Sequence, residues 1–182
     1  MERVLRWAGT AEAGLEHLVL RTGDGIRAEA VVIGGPAEAP FGLRYTIICD
    51  PGWSLRAVSV ALAGEEWELR LLSDGRGNWA DGSGRSLPLL AGCLDLDLAA
   101  TPFTNTLPIR RLGLRAGESR DLRVVYLPVP ELQPLVVTQR YTCLAEGRRY
   151  QFEGLGTGFS AELEVDPDGL VVDYPGLFHR VF

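Results

Sequence analysis

Alternation of apolar and polar residues dominates the chain. In Glu66-Trp67-Glu68-Leu69-Arg70-Leu71 the apolar residues Trp67, Leu69 and Leu71 share one face and the charges share the other. Side chains of an extended strand point to opposite sides in turn, so this pattern predicts a half-buried strand. The segments 26–30, 161–165 and, with aromatics, 150–153 repeat it. The β-rich runs 15–20, 44–49, 55–62, 122–127, 136–144 and 170–174 predict further strands.

Asp-Gly pairs at 24–25, 74–75, 81–82 and 168–169 punctuate these runs. Such pairs tolerate the positive φ that tight hairpins require. Helix is scarce; the best candidate is a short turn over 107–112 with Pro108 near its start. Short strands and turns at regular spacing predict an all-β, mainly antiparallel fold, closed or partly rolled. No linker or repeat interrupts the chain, so residues 1–182 read as a single domain.

Composition narrows the chemistry. All 18 basic residues are arginine. Without lysine, Schiff-base catalysis and the lysine of phosphate loops and kinases are excluded. The net charge of −6 argues against nucleic acid as a partner. Five arginines between 101 and 123 stand against Glu118 and Asp121, which reads as an ion-paired surface. The cysteines at 49, 93 and 143 lack pairing spacing and read as reduced thiols. With no CxxC, and His17 and His179 at opposite ends, no zinc site is expected. The N-terminus has no apolar signal core and no stretch has the length of a membrane helix, so a cytoplasmic protein is expected.

One region departs from plain alternation. It holds Trp79, Asp95, Asp97, Thr101, Thr104, Asn105, Arg110 and Arg111, groups that are costly to bury without partners. In Leu94-Asp95-Leu96-Asp97-Leu98 the two carboxylates share one strand face and the leucines the other. They suit an acid/base pair or a cation site; the favoured reading is an ion-pair network with Arg110 and Arg111. Elsewhere, templates fail. The segment 154–158 is a glycine-rich turn with no helix after it, 82–86 reads as a hairpin turn, and no GxSxG elbow exists. His17 reads as a satisfied strand residue, and His179 as surface.

The strings Asp74-Gly-x-Gly-x-Trp79, Leu87-Pro88, Gly92-Cys-x-Asp-x-Asp-Leu98 and Thr101-Pro-Phe-Thr-Asn-Thr-Leu-Pro-Ile-Arg-Arg111 resemble the bacterial putative glycolipid-binding family. Tyr126-Leu-Pro-Val-Pro130 and Gln139-Arg-Tyr-Thr142 do so too. The resemblance covers nearly the whole chain. It implies a spiral β-roll: an antiparallel sheet curled around an apolar interior. The family's name rests on structural similarity to bacterial lipoprotein and glycolipid carriers.

Three functions stay open. The first is a non-catalytic lipid or glycolipid binder, with Trp79, Asp95, Asp97, Asn105, Arg110 and Arg111 at the headgroup and Gln139 and Arg140 as second choices. The alternative for these residues is a polar knot that locks the roll. The second is a small enzyme using Asp95 or Asp97 as base and Arg110 or Arg111 to hold an anion. The third is an interaction module built on strand edges and the apolar tail 177–182, a tail more apt to dock on its own sheet. No cofactor or metal is called for, and monomer and homodimer stay open.

Overall fold

A computed structural model describes residues 1–182. All its strands join one curled, open sheet. Strands β1 (Glu2–Gly9), β2 (Leu15–Thr22), β3 (Ile26–Gly34), β4 (Phe41–Cys49), β5 (Leu55–Leu62), β6 (Leu69–Ser73) and β7 (Trp79–Asp81) form a first antiparallel meander. The chain then crosses to the opposite edge of the sheet. There β8 (Asp95–Leu98) pairs in parallel with β9 (Ser119–Leu127), the helix α1 (Thr106–Leu112) lying between them in sequence. A second meander follows through β10 (Leu135–Ala145), β11 (Arg149–Gly154), β12 (Phe159–Val165), β13 (Val171–Tyr174) and β14 (Phe178–Arg180). Strand β14 pairs with β1 and joins the two halves.

The alternation explains the core. Leu5, Leu18, Ala30, Tyr45 and Val60 lie opposite one another in a row across β1 to β5, and all are buried. Complete burial of one such aliphatic side chain contributes about 1.5–3 kcal/mol. The same rows pack against Leu96, Leu98, Phe103 and Leu107 from the crossing segment. A smaller core in the second half gathers Tyr141, Phe152, Leu163 and Tyr174 around Ile109 and Leu114.

The curl brings the two sheet edges together without pairing them. Trp79 at the start of β7 donates its indole N–H to the carbonyl of Cys93, at 2.9 Å. Gly92 N–H bonds the carbonyl of Gly77, also at 2.9 Å. These bonds hold the start of β7 against the segment just before β8.

One expectation changes, and two hold. Strand β6 begins at Leu69, so Trp67 lies outside it and is about half exposed (48%) rather than on a buried face. The helix starts at Thr106 because a 3₁₀ turn over Pro102–Asn105 runs directly into it, which puts Pro108 in its first turn. The C-terminal tail docks on its own sheet, in the central seam between the two meanders. No helix is long and apolar enough to cross a membrane.

Candidate functional site

The site begins with β8. Leu96 and Leu98 enter the larger core, so Asp95 and Asp97 project from the other face. After the strand, Thr101 accepts a hydrogen bond from the Phe103 N–H through its side chain and starts the 3₁₀ turn. Helix α1 follows, and Gly113 closes it in the left-handed conformation (φ 55°) that helix C-termini favour. This return lays α1 beside the aspartates.

The two carboxylates then part company. Asp95 is fully buried and held in a fork by Arg111, with Nε to Oδ1 at 3.1 Å and a second nitrogen to Oδ2 at 2.5 Å. Asp97 has no arginine. It accepts a hydrogen bond from Gln139 Nε2 at 2.5 Å. The expected network of both aspartates with both arginines is therefore corrected to a single fork. Arg110 precedes Arg111 on the helix and points elsewhere, its guanidinium 5.4 Å from the ring of Trp53.

Asp97 lines a half-open cavity of about 1000 Å³. Gln139, Asn105 and Thr101 border the same cavity. Asn105 is buried; its Oδ1 accepts the Tyr141 hydroxyl at 2.8 Å and its Nδ2 donates to the Pro102 carbonyl at 3.2 Å. Burial raises the Asp97 carboxyl above its ordinary range, while the Gln139 hydrogen bond and the nearby Thr104 hydroxyl pull it back. The phenols of Tyr126 and Tyr174 are raised by burial first and by the charge of Asp97 second.

The facing wall is aromatic. Phe152, Phe159 and Tyr174 sit with ring centroids 6.1 to 6.2 Å apart. Phe178 continues the row at 6.3 Å from Tyr174. Tilted and edge-on rings at these separations attract one another and hold a rigid apolar surface.

Of the eight residues singled out from sequence, the structure brings Asp97, Asn105 and Gln139 to this cavity. Trp79 is buried at the sheet edge, and Asp95 and Arg111 are engaged in their fork. Arg110 lies at a different, smaller cavity with Trp53. Arg140 is on the outer face, where it forks Asp121 at 2.6 and 2.9 Å. Strand parity requires this: Gln139 and Arg140 are neighbours in β10 and cannot both face inward.

Two features escaped the sequence analysis. The aromatic wall is drawn from β11 to β14, and single aromatics in alternating strands look like ordinary core. Glu16 is the other. It shares the parity of Leu18 and Leu20 in β2 and is buried at 2% exposure, whereas His17 faces outward and accepts a bond from Arg6. A carboxylate at an apolar parity position was the available signal. No three His, Cys, Asp or Glu side chains cluster in a way that could hold a metal ion.

An open, curled, mainly antiparallel sheet with a half-open cavity, an aromatic wall and a carboxyl beside it defines the class of fold as a β-roll. The family described as "Putative glycolipid-binding" matches residues 4–180, and the chain belongs to it. The crystal structure of a DUF1089 family protein from Pseudomonas aeruginosa is similar, with 42% identity and a TM-score of 0.82 over 91% of this chain and 92% of that one. No curated protein matches the chain.

Proposed function

We propose that this protein binds a lipid or glycolipid in the cavity beside Asp97. The observation that carries the reading is one half-open space with an aromatic wall and, at its other side, a half-buried carboxyl hydrogen-bonded to an amide. Its volume of about 1000 Å³ lies at the upper end of ordinary ligand sites. Acyl chains or a sugar face would rest on Phe152, Phe159 and Tyr174. Headgroup hydroxyls would meet Asp97, Gln139 and Asn105. The carboxyl accepts hydrogen bonds and the amides of Gln139 and Asn105 both donate and accept, which suits hydroxyl groups. The family description supports the same reading. The three cysteines are buried and unpaired, which supports a reducing, cytoplasmic setting.

The test is native mass spectrometry of protein purified from its own host, followed by organic extraction. A co-purifying lipid or glycolipid that is lost in Phe159→Ala or Gln139→Ala, with each variant folded, supports the reading. A bare polypeptide mass, with no thermal shift across a lipid panel, overturns it.

One observation favours a catalytic second reading: a carboxyl raised by burial inside a cavity can serve as a general acid. Asp97 would then protonate a leaving group. Turnover of chromogenic glycosides or esters, abolished in Asp97→Asn, would select it.

A further inference from the structure

Leu177 and Phe178 border a second cavity as well as the first. Its volume is about 510 Å³, and the β1–β2 and β3–β4 turns frame it. Trp7, Phe41 and Phe178 supply aromatic walls, and Glu16 lines it. Glu16 stands in a row of otherwise apolar partners, opposite Trp7 on one side and Val32 on the other. Its Oε1 accepts the Tyr45 hydroxyl at 2.5 Å and the Thr101 hydroxyl at 2.9 Å. Its Oε2 is buried and has no partner. A buried polar atom left unpaired costs about 1–3 kcal/mol, and more when charged. The fold therefore carries an unmet demand at this oxygen.

The surroundings define what could meet it. The charged residues bordering the cavity are Glu12 in the β1–β2 turn, Glu16, and Glu131 in the loop after β9. No arginine or histidine lines it. Tyr45, from β4, is the remaining titratable group against the carboxyl, and burial and the neighbouring charge of Glu16 keep its phenol protonated. We propose that this cavity is a second binding site, for an apolar primary ammonium such as an alkylamine or an amino-bearing amphiphile, with the nitrogen paired to Glu16.

An ammonium has three donors and no acceptor, so it complements an oxygen that receives nothing. Aromatic faces attract a cation by their quadrupole. An anionic headgroup would meet three carboxylates and no compensating charge. A neutral hydroxyl would satisfy Oε2 but gain nothing from Glu12 and Glu131. Burial raises the Glu16 carboxyl to about 7, against the opposing pull of the Tyr45 and Thr101 hydroxyls. The ammonium requires the ionised form. Affinity should therefore fall as pH drops through 7, approaching about tenfold per pH unit.

The test is calorimetric titration with three six-carbon probes: n-hexylamine, 1-hexanol and hexanoate. At pH 8 the amine should bind about tenfold or more tightly than the alcohol, a charge-assisted pair against a neutral one, with hexanoate weakest. The preference should shrink at pH 6, where the amine itself stays charged. Glu16→Gln keeps the shape of the side chain and should lose most of the preference for amine over alcohol. In Asp97→Asn the preference should persist, because Asp97 lines the other cavity. Equal binding of amine and alcohol by the unmodified protein needs no variant to interpret and overturns the proposal. So do failure of all three probes to bind, retention of the preference in Glu16→Gln, and its transfer to Asp97.

Discussion

Arg111 grips Asp95 by two hydrogen bonds in a place where water scarcely reaches, and that fork ties the last turn of α1 to the edge strand β8. Breaking a buried pair by removing one partner costs about 3–5 kcal/mol, because the survivor is left charged and unpaired. Arg111→Ala should lose stability of that order in chemical denaturation. Adding Asp95→Asn to it should recover part of the loss. A double variant as unstable as the single one would mean that the fork is not the source.

Gln139 and Arg140 are adjacent in β10 yet have opposite assignments. Gln139→Ala removes a donor from the half-buried Asp97 and should cost about 1–3 kcal/mol, with loss of any cavity-bound lipid. Arg140→Ala opens only an exposed pair with Asp121 and should stay within about 1 kcal/mol of the parent, with binding intact. Thermal melts and lipid retention of the two variants decide the assignment of faces.

Glu16 makes stability depend on pH in an unusual direction. Its carboxyl rises from 4.5 in the open chain to about 7 in the fold. Between those values the folded state holds a proton that the unfolded state has released, so raising the pH weakens the fold across that window. Below about 4.5 neither state loses the proton and the stabilisation is complete; above about 7 it is gone. The loss over the window should be roughly 3 kcal/mol. Other carboxyls titrate too, so the readout is the difference between the parent and Glu16→Gln. That difference should move in favour of the variant from pH 5 to pH 8, and a flat difference would refute it.

Gly77 and Gly92 let the two edges of the curled sheet touch. Gly77 has φ of 97°, and a Cβ there would sit 3.0 Å from the Gly92 Cα. Gly77→Ala meets both a disfavoured backbone region and a backbone neighbour that cannot yield cheaply. It should destabilise by about 1–3 kcal/mol. Gly64 also has a positive φ, but nothing lies within 4 Å of a Cβ there, so Gly64→Ala should cost less. Paired urea melts compare them.

Much of the fold was legible because sheet burial writes a period of two into the chain. The run 55–62 matches β5 at both ends, and the Asp-Gly pairs at 24–25, 74–75 and 168–169 stand between strands. Strands β1, β7 and β14 were not assigned, being short or carrying the pattern weakly. Trp67 misled because its alternation extends past the point where pairing starts. Within the site, Asp97, Asn105 and Gln139 reach the cavity, while Arg140 and Arg110 point away from it.

What the sequence alone determined is therefore local: which residues alternate, where the chain turns, and which polar groups fall in a segment too apolar to leave them free. These follow from backbone geometry and from the cost of burying unpaired groups, both of which act over a few residues. The tertiary structure decided which partner each group received. Asp95 and Asp97 are chemically identical and two residues apart, yet one meets Arg111 from the helix and the other meets Gln139, 42 positions away. Glu16 finds Thr101 across 85 positions. Curling of the sheet makes those meetings, and curl is a property of all fourteen strands together rather than of any one segment.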